Sequence, residues 1–503
     1  MTQAICLSIA GSDSGGGAGI QADIKTFFDL GCHPTTVITA ITAQNSYRVT
    51  AIEAVSDVLF EKQLQAVEGD LFASAVKTGM IASVKQVQMI SKFLDRHNHL
   101  SYICDPVMMA TSGNQLVHHD VIDEIKTELF PKAALITPNL DEAYYLLSLA
   151  ETTEDLSTLS LKEIALRLYK TYKPKAVLVK GGHSLSPEID YFYCPSSEFY
   201  LKSQRCMLHK NTHGSGCTLA AAITSFLALG YDLVNAIVIA KAYITEAIFN
   251  AKAITKNSQN KPVNQCGFPS NKKYFPIITK QSLLLNHSKA FRKLEDEIGF
   301  YPVVDNINWL EYLAKKGIKT IQLRIKDQSD DLVEQAIIEA VGLQKKYNLQ
   351  LIINDYWQLA IKHGAFGIHL GHEDLTALSS SEIQCLISSN IALGLSTHDY
   401  FELAYALSIR PSYVALGPIY PTTSKVMRFK AQGLDKLVKW QALVDIPLVA
   451  IGGITLDNIQ KIIDTKVAGI AVISMLTKAK EPKQVINKVN RLLKHVDMNE
   501  ALV

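Results

Sequence analysis

The feature that most constrains the fold of this chain is an alternation of short, β-rich apolar runs with longer helical patterns, sustained over most of its 503 residues. Alternation of this kind predicts βαβ units and sheets that are mainly parallel. In the first half, helical patterns at 57–69, 84–98 and 141–149 separate the apolar runs. The strand candidates in that half are 4–10, 36–40, 75–78, 102–104, 134–137 and 176–180.

The second half has eight strand candidates separated by helical patterns, which is the number that a closed (β/α)8 barrel requires. The first half has neither that number nor that spacing. We therefore predict an α/β protein of two unlike domains, the second of which is a TIM (β/α)8 barrel. The eight strand candidates are 301–304, 320–324, 351–354, 367–369, 392–396, 413–417, 448–452 and 469–473.

The two halves are separated by segment 256–276, which is polar, rich in Asn and Lys, and contains three prolines. Such a stretch buries little apolar surface, so we interpret it as a linker or an exposed tail. A charged segment at 281–297 follows and can form a helix. The predicted division is a first domain at 1–266, a linker that can contain a helix at 267–296, and the barrel at 297–503.

Composition narrows the classes of function. The net charge is +2 and acidic and basic residues are interspersed, so there is no electrostatic basis for binding nucleic acid or a membrane surface. The eight cysteines form no CxxC pair, and no apolar run reaches membrane-spanning length. We expect a cytoplasmic enzyme with reduced thiols that acts on small molecules. A homo-oligomer formed through exposed helix faces is compatible with this composition, but the sequence does not fix the oligomeric state.

The first feature with chemical meaning is segment 10–19, in which five glycines follow the first strand and precede a helical pattern. Glycines allow the backbone to approach a ligand closely, and Asp13 and Asp23 could hydrogen-bond polar ligand groups at the end of the strand. An ordinary tight turn explains the glycines equally well. The segment alone therefore suggests a ligand site without establishing one.

A second glycine-rich turn, at 211–218, opens a long apolar helix. Free N–H groups at Gly214 and Gly216, together with the positive end of the helix, predict an anion hole for a transferring phosphoryl group. Cys217 lies at the helix start, where a thiolate is favoured. The alternative is a helix cap made of small residues with a buried cysteine.

Two further features of the first half concern a nucleotide. Asn139 and Glu142 are three residues apart at a helix start, where both side chains can face a hydrated Mg²⁺ carried by nucleotide phosphates. A plain helix cap by Asn139 is the competing interpretation. Lys180 ends a strand candidate and is either a phosphate contact or a surface lysine.

In a barrel the residues that close each strand form the site, and here those residues are polar. Alternation places Gln322, Arg324 and Lys326 on one face, toward the mouth, where two cations require an anion. Asp355 and Asp374 end neighbouring strands and are hard oxygen ligands suited to Mg²⁺. The later strands end in residues typical of phosphate sites, namely Ser396, Thr422, Thr423, Ser424, Lys425, Gly453, Ile473 and Ser474.

The barrel mouth is thus predicted to hold two anions and one metal ion, as a reaction that joins two phosphorylated substrates and releases pyrophosphate would need. His369 and His372 raise the question of zinc, but no cysteine or HExxH spacing supports a zinc site.

The motifs of the first half are AGSDSGGGAGIQADIKTF, ITAQNS, KTGM, DPVM, TPNLDEA, VKGGH and NTHGSGCT. In this order they resemble the hydroxymethylpyrimidine/phosphomethylpyrimidine kinases of the ribokinase-like superfamily, over residues 1 to about 266. The resemblance implies a ribokinase-like α/β/α sandwich and two ATP-dependent phosphorylations, of 4-amino-5-hydroxymethyl-2-methylpyrimidine and then of its monophosphate. Related kinases for sugars and pyridoxal usually carry Asp where Cys217 stands, which favours a pyrimidine kinase here.

This first resemblance also implies roles for individual residues. Asp23 and Gln44 would recognise the aminopyrimidine, and Met80 and Val107 would wall its ring. The remaining implied residues serve Mg–ATP and the anion hole over the reacting hydroxyl, and they are Asn139, Glu142, Gly214, Gly216 and Cys217. The sequence leaves open whether Cys217 is a base or a member of the anion hole.

The motifs of the second half are YPVVD, QLRIKD, INDYWQLAIKHGAFGIHLGHEDL, STHD, RPSYVALGPIYPTTSK and AIGGIT. They resemble thiamine-phosphate synthase over residues 300 to about 480, which implies coupling of the pyrimidine diphosphate with a thiazole phosphate. In that family the pyrimidine diphosphate would be held by Gln322, Arg324, Lys326, Asn354, Ser396 and Lys425. Asp355 and Asp374 would bind Mg²⁺. The thiazole phosphate would be held by Thr422, Thr423, Ser424, Gly453, Ile473 and Ser474.

Two departures from the synthase pattern are His372, where Gln is common, and Ser424, where Thr is usual. Neither removes a metal ligand or a hydroxyl group. Two other functions stay open at this point. One is a kinase for pyridoxal or another ring alcohol joined to a thiazole tautomerase-like barrel, and the other is a synthase-like barrel that only senses thiamine phosphate. The sequence also leaves open whether the pyrimidine diphosphate passes directly between the two sites.

Overall fold

A computed structural model of the chain describes residues 3–45, 48–108, 116–148, 156–181, 188–204, 206, 213–253, 261–280, 289–422 and 429–500. The chain divides into two compact units, Met1–Leu285 and Asn286–Val503. The division falls inside the predicted linker, 267–296. No helix in the described ranges is long and apolar enough to cross a membrane.

The first unit contains a ten-stranded sheet in the order β10-β9-β8-β7-β6-β5-β4-β1-β2-β3. Its strands are β1 Ile5–Asp13, β2 His33–Gln44, β3 Val49–Ala54, β4 Ala75–Thr78, β5 Ser101–Cys104, β6 Leu135–Ile136, β7 Val177–Val179, β8 Ile189–Cys194, β9 Ser197–Lys202 and β10 Ile277–Thr279. The six strands from β7 to β2 are parallel. The antiparallel edges β3 and β8–β10 were not predicted, because the sequence argument followed only the βαβ alternation.

Helices cover both faces of this sheet, as the α/β/α prediction requires. On β1, Leu7 and Ile9 contribute to the large core that includes Phe60 and Val87 of the second and third helices. Cys6, on the opposite face, packs with Phe27 of the first helix. The helices of this unit are α1 Gly19–Asp29, α2 Asp57–Asp70, α3 Val84–Arg96, α4 His119–Glu124, α5 Leu140–Ser148, α6 Leu161–Tyr172, α7 Ser215–Ala228 and α8 Leu233–Phe249.

Residues 267–280 of the expected linker belong to the first unit. Gly267 donates its N–H to the Asp29 carboxylate at 2.7 Å, and β10 pairs with β9 at the edge of the sheet. The expected helix is absent from 289–297, and residues 281–288 lie outside the described ranges. Instead, Arg292 and Glu295 donate their N–H groups to Ile391 and Gln350, at the N-terminal ends of barrel strands.

The second unit is a closed barrel of eight parallel strands, in which β18 pairs with β11. The barrel prediction is confirmed, and each strand overlaps its predicted range to within two residues. The strands are β11 Gly299–Val304, β12 Thr320–Leu323, β13 Gln350–Asn354, β14 Gly367–Leu370, β15 Ala392–Thr397, β16 Tyr413–Leu416, β17 Leu448–Ile451 and β18 Gly469–Val472.

The helices of the second unit are α9 Ile307–Lys315, α10 Asp330–Tyr347, α11 Trp357–His363, α12 His372–Ala377, α13 Ser380–Ser388, α14 Tyr400–Ser408, α15 Gly433–Leu443, α16 Ile459–Ile463, α17 Ser474–Thr477 and α18 Pro482–Glu500. Inward-facing residues such as Ile352, Ala392 and Val449 fill the barrel, so its interior is a packed core. Because all eight strands are parallel, their carboxyl ends lie at one mouth of the barrel, where the polar residues found in the sequence come together.

Candidate active sites

In the first unit, the carboxyl ends of adjacent parallel strands bring the candidate residues to one edge of the sheet. Gln44 ends β2, Met80 follows β4, and Val107 follows β5. Met80 is buried with its sulfur 3.2 Å from the position that a Cβ on Gly11 would take, and Val107 packs against the same core. The predicted ring-binding residues thus share an edge, which is where open α/β sheets bind ligands.

The glycine-rich segment after β1 is folded by Asp13. The carboxylate of Asp13 accepts N–H groups from Gly15, Gly17 and Ala18 at 2.8 to 2.9 Å. Burial alone would raise the pKa of this carboxyl, but the hydrogen bonds from His213 and these amides outweigh burial and lower it. Asp13 therefore shapes the loop, because its carboxylate oxygens accept backbone N–H groups of the loop itself.

The two glycine-rich loops interlock, and this requires glycine at specific positions. Gly214 has φ +77°, and a Cβ there would lie 1.8 Å from the carbonyl oxygen of Gly17. A Cβ on Gly17 would in turn lie 2.3 Å from the ring of His213. The N-terminal end of α7 and the loop after β1 are therefore held in backbone contact, which fixes the predicted anion hole at the edge of the sheet.

Asp23 does not lie where a ligand contact would place it. It has no exposed surface, and its oxygens accept hydrogen bonds from Lys77 Nζ at 2.7 and 2.8 Å and from Ser8 at 2.6 Å. A carboxylate with no exposed surface cannot reach a substrate directly, so its implied role in recognising the pyrimidine needs correction. Burial raises the pKa of Asp23 against the lowering effect of Lys77.

Lys77 and Asp105 are site residues that sequence reasoning missed. Lys77 is a fully buried lysine on β4, and Asp105, just after β5, is 2% exposed. Burial would lower the pKa of Lys77, but Asp23, Cys217 and Asp105 together raise it. One signal was available: a charged residue stands in each of the apolar runs AVKTGM and YICDPVM.

Lys180 is not a surface lysine. Its Nζ donates to Asp105 Oδ1 at 3.0 Å, and Thr137 donates to the same oxygen at 2.9 Å. A Cβ on Gly216 would lie 3.3 Å from Lys180 Nζ, so the ammonium faces the start of α7. Burial opposes the charge on Lys180, but Asp105 and Glu142 raise its pKa overall. This position supports the phosphate-contact interpretation.

Cys217 lies in the first turn of α7 between Lys77 and two carboxylates. Burial raises the pKa of the thiol to about 11, and the lowering effect of Lys77 is opposed by Asp23 and Asp105. The expectation that the helix start favours a thiolate was wrong, because burial and the carboxylates of Asp23 and Asp105 outweigh the helix end and Lys77. Cys217 is a neutral thiol near pH 7.

Asn139 and Glu142 form a reciprocal capping box at the start of α5. The Glu142 N–H donates to Asn139 Oδ1, and the Asn139 N–H donates to Glu142 Oε2, both at 2.8 Å. The structure therefore shows a helix cap at Asn139, and the Glu142 carboxyl of this cap lies beside Lys180. Burial raises the pKa of Glu142 to about 7, with Lys180 lowering it and Asp105 raising it.

In the barrel, the predicted cations and carboxylates meet at the mouth. Lys326 Nζ donates to Asp355 Oδ2 at 2.5 Å. Asp374 is exposed at the start of α12, where its carboxylate accepts the Gly371 N–H at 3.1 Å. Arg324 is half-buried and follows β12, and its N–H donates to Val304. β12 ends at Leu323, so the strand alternation that placed Lys326 on the inward face does not extend to this residue. The Lys326 side chain is exposed and contacts Asp355.

Gln322 and Ser396 are the two ends of a chain of hydrogen bonds that crosses the barrel. Gln322 Nε2 donates to the Tyr301 hydroxyl at 2.9 Å, and the Tyr301 and Tyr413 hydroxyls are 2.7 Å apart. His369 Nδ1 lies 2.9 Å from the Tyr413 hydroxyl, and His369 Nε2 lies 2.8 Å from Ser396 Oγ. Sequence reasoning missed both tyrosines and considered His369 only as a zinc ligand, because an inward tyrosine looks like any core aromatic.

The opposite side of the mouth carries the predicted thiazole phosphate residues. Gly453, after β17, has φ +67°, and a Cβ there would lie 2.5 Å from the carbonyl oxygens of Tyr420 and Pro421. Ile473 and Ser474 stand at the start of the short helix α17 after β18. This is the arrangement in which such barrels bind phosphate. The sequence also predicts phosphate contacts by Thr422, which is described, and by Thr423, Ser424 and Lys425, which lie outside the described ranges.

The described ranges contain no cluster of three or more His, Cys, Asp or Glu side chains with the geometry of a metal site. The predicted barrel metal needs only Asp355 and Asp374 from the protein, because substrate oxygens and water complete the coordination of Mg²⁺. Both carboxylates are accessible and offer the hard oxygen donors that Mg²⁺ prefers. The residues therefore fit the ion. Asn354, at the end of β13, is buried next to Asp355.

Comparison with known proteins divides the chain in the same way. Residues 13–264 match the phosphomethylpyrimidine kinase family, and residues 300–476 match the thiamine monophosphate synthase family. The chain is 32% identical, over 486 residues, to a probable thiamine biosynthetic bifunctional enzyme, chloroplastic, of Oryza sativa subsp. japonica, covering 93% of this chain and 85% of the rice protein.

Two further relatives each match one part of the chain. The thiamine-phosphate synthase of Proteus mirabilis is 48% identical over 207 residues, which cover 41% of this chain and 95% of that protein. A crystal structure of phosphomethylpyrimidine kinase from Clostridium difficile 630 has 37% sequence identity and a TM-score of 0.42, covering 49% of this chain and all of that one. The rice protein is named as chloroplastic, so the cytoplasmic location predicted for this chain stays a prediction.

Proposed function

This chain belongs to the family of bifunctional thiamine biosynthetic enzymes, which combine a phosphomethylpyrimidine kinase with a thiamine-phosphate synthase, and we propose that each unit carries out its step with the residues described above. The first unit would phosphorylate hydroxymethylpyrimidine and its monophosphate with ATP. The second would join the resulting diphosphate to thiazole phosphate. Consecutive reactions on one chain are the economical explanation for two phosphate-binding units, because the product of the first is the substrate of the second.

The observation that carries the kinase half is the closure of the two glycine loops beside Lys180 and Asp105. The substrate hydroxyl oxygen would attack the γ-phosphorus of ATP, and the bond to the β–γ bridging oxygen would break as ADP leaves. The amides of Gly214 and Gly216 and the Lys180 ammonium would stabilise charge on the transferring group. Asn139 and Glu142 would hold Mg²⁺, which neutralises phosphate charge when it is bound.

The raised pKa of Cys217 bears on its role. A thiol with a pKa of about 11 is almost fully protonated at neutral pH, so it is a poor base for the substrate hydroxyl. Phosphoryl transfer through a loose transition state requires little proton removal before the new bond forms. We therefore assign Cys217 to the anion hole rather than to proton abstraction. Gln44, Met80 and Val107 would hold the ring, and Asp23 would act through Lys77.

The observation that carries the synthase half is the ring of polar strand ends around one barrel mouth. The bond between the pyrimidine methylene carbon and the diphosphate oxygen would break, and its electron pair would leave with pyrophosphate. The thiazole nitrogen would then form the new C–N bond with the methylene carbon. Arg324, Lys326 and Lys425 would stabilise the departing anion. Asp355 and Asp374 would hold Mg²⁺, which supplies further charge stabilisation when it is bound.

One experiment tests both halves together. The purified chain is incubated with hydroxymethylpyrimidine, thiazole phosphate and Mg–ATP, while ADP, pyrophosphate and thiamine phosphate are measured over time. We expect all three products, with thiamine phosphate appearing after a lag as the diphosphate accumulates. Formation of ADP without thiamine phosphate would refute the synthase half. A preference for pyridoxal over the pyrimidine alcohol would refute the substrate assignment of the kinase.

Residue roles are tested in the same assay. Asp374→Ala should reduce thiamine phosphate formation while leaving ADP formation intact. Cys217→Ala should reduce ADP formation, and thiamine phosphate with it, but should still make thiamine phosphate when the pyrimidine diphosphate is supplied. Glu373→Ala, which removes the neighbouring exposed carboxylate, serves as the control for the metal assignment. Equal activity of the Asp374 and Glu373 variants would show that Asp374 does not bind the metal.

A further inference from the structure

Five side chains form a continuous hydrogen-bonded chain across the barrel interior, which we call the barrel relay. Its members, in order, are Gln322, Tyr301, Tyr413, His369 and Ser396. The four links have lengths between 2.7 and 2.9 Å. Only the two ends of the relay were predicted from sequence to contact substrate, and the three members between them have no part in the mechanism above.

The relay is built into the core of the barrel. Tyr301 and Tyr413 are each 1% exposed, and their rings pack edge to face at 5.9 Å. The Tyr413 ring crosses the barrel only because residue 394 is glycine, since a Cβ there would lie 2.0 Å from Tyr413 Cζ. Burial raises the pKa of both phenols, so each keeps its one O–H hydrogen. Water does not interrupt the links at this depth, because the hydroxyl groups contact each other directly.

Counting hydrogens shows that the two ends of the relay depend on each other. Each hydroxyl group has one hydrogen, and a neutral imidazole has one N–H, so every link can run in only one direction at a time. As oriented in the structure, Gln322 donates to Tyr301. The other three links can run either way on atomic positions alone, and we infer their direction from Gln322: Tyr301 donates to Tyr413, Tyr413 donates to His369 Nδ1, and His369 Nε2–H donates to Ser396.

In this direction the mouth has a defined hydrogen-bonding character. The Ser396 hydroxyl must donate outward, because its oxygen already accepts from His369. Gln322 presents its carbonyl oxygen, because its amide nitrogen donates to Tyr301, and the second hydrogen of the NH₂ group remains beside that oxygen. Reversing one link reverses all of them, after which Gln322 would present its NH₂ group and Ser396 would present only lone pairs.

We propose that the barrel relay is a specificity device of the synthase site, which couples a phosphate bound at Ser396 to recognition of an amino group at Gln322, with Tyr301, Tyr413 and His369 as positioning residues. The inference rests on the proposed synthase function and adds to it. A phosphate oxygen can only accept hydrogen bonds, so a phosphate bound at Ser396 selects the direction inferred from Gln322. In that direction the Gln322 carbonyl oxygen faces the ligand, where an exocyclic amine can pair with it and a bare ring nitrogen cannot.

The inference predicts which analogue the barrel rejects. A pyrimidine diphosphate with hydrogen in place of the exocyclic amine offers only ring-nitrogen acceptors, so it leaves the Gln322 carbonyl oxygen without a donor unless the amide turns. Turning Gln322 would reverse the relay and set Ser396 lone pairs against a phosphate oxygen. An unpaired buried polar group of this kind weakens binding by roughly 10- to 100-fold. We expect the intact barrel to prefer the amino substrate by about 100-fold in kcat/KM.

Removing one hydroxyl group from the middle of the relay distinguishes its hydrogen-bonding role from the packing of its rings. Tyr413→Phe and Tyr301→Phe keep the ring and remove one link, so Gln322 can turn without consequence for Ser396. We expect the preference for the amino substrate to fall about tenfold in each variant. Tyr405→Phe, at a buried tyrosine of the same barrel outside the relay, should keep the full preference. Since two separate variants cut the chain, failure of one to fold leaves the test intact.

The direction itself can be observed by NMR. In protein labelled with ¹⁵N-histidine, the His369 signals are identified by their loss in His369→Gln, and spectra are recorded with Mg²⁺ and inorganic pyrophosphate. We expect the Nε2–H tautomer of His369. The Nδ1–H tautomer, or an unchanged preference in both tyrosine variants, would overturn the relay. Either result can arise while the wild-type chain makes thiamine phosphate normally, whereas absence of that product would instead refute the proposed function.

Discussion

Substitution of Gly214 by alanine tests the central feature of the kinase site, the contact between the two glycine loops. The residue has φ +77°, and left-handed backbone costs an L-residue about 1–2 kcal/mol. In addition, the new Cβ would lie 1.8 Å from the Gly17 carbonyl oxygen, whereas real contacts are above 3 Å. The loops must therefore separate by more than 1 Å, and a displacement of that size in a phosphoryl-transfer site reduces the rate on the order of 10²-fold.

Gly230→Ala is the matched control for this prediction. Gly230 follows α7 with φ +89°, and a Cβ there would have no heavy atom within 4 Å. The control therefore carries the same backbone strain without the collision. Gly230→Ala should lose about 1–2 kcal/mol of stability in chemical denaturation, and Gly214→Ala at least as much because of its collision. Only Gly214→Ala should lose kinase activity, measured as ADP release with hydroxymethylpyrimidine.

The barrel provides an internal reference in the same molecule. Thiamine phosphate formation from supplied pyrimidine diphosphate and thiazole phosphate should be unchanged in Gly214→Ala, because the substitution lies in the other unit. Equal kinase activity in Gly214→Ala and Gly230→Ala would refute the reasoning, since it would show that the loop contact does not position the reacting groups.

Three other results are expected in the first unit. Lys77→Met should destabilise the chain by about 3–5 kcal/mol in urea titrations because it strands the buried charge of Asp23, whereas Lys85→Met, at an exposed pair, should change stability by less than about 1 kcal/mol. Alkylation of Cys217 by iodoacetamide, followed by peptide mapping, should accelerate about tenfold per pH unit from pH 7 to 10, and a plateau near pH 7 would contradict the raised pKa. The KM for Mg–ATP should rise as pH falls below 7, where the Glu142 carboxyl becomes protonated, and Glu142→Gln should remove this dependence.

The sequence by itself determined the barrel and the parallel centre of the first sheet, but not the antiparallel edges of that sheet. Eight apolar runs separated by helical patterns are enough for a barrel, because each run must be a buried strand and each helical pattern must cover it. The glycine loops and the polar strand ends were also found from sequence, since a charged residue that closes an apolar strand is costly unless it has a function. This is why the polar ends of β12, β13 and β15 were located before the fold was known.

The tertiary structure decided what those residues can do. The sequence places Asp23 near a glycine loop, but only the sheet order brings Lys77 against it and buries both. Likewise, the pKa of Cys217 depends on carboxylates from β5 and α1, which are more than a hundred residues away in the chain. Segment 267–280 looked like a linker because it is polar, yet it adds an edge strand through backbone hydrogen bonds that composition does not reveal.

The barrel relay is the clearest example of this difference between what the sequence determines and what the fold decides. Tyrosine at 301 and 413 fits the inward positions of two strands, and period-2 alternation predicts no more than burial there. The hydroxyl groups meet because closure of the barrel brings β11 and β16 face to face across a space that Gly394 leaves open. Local pattern therefore fixes which residues are buried or placed at a mouth, whereas charge state and hydrogen-bond direction depend on partners that only the closed fold supplies.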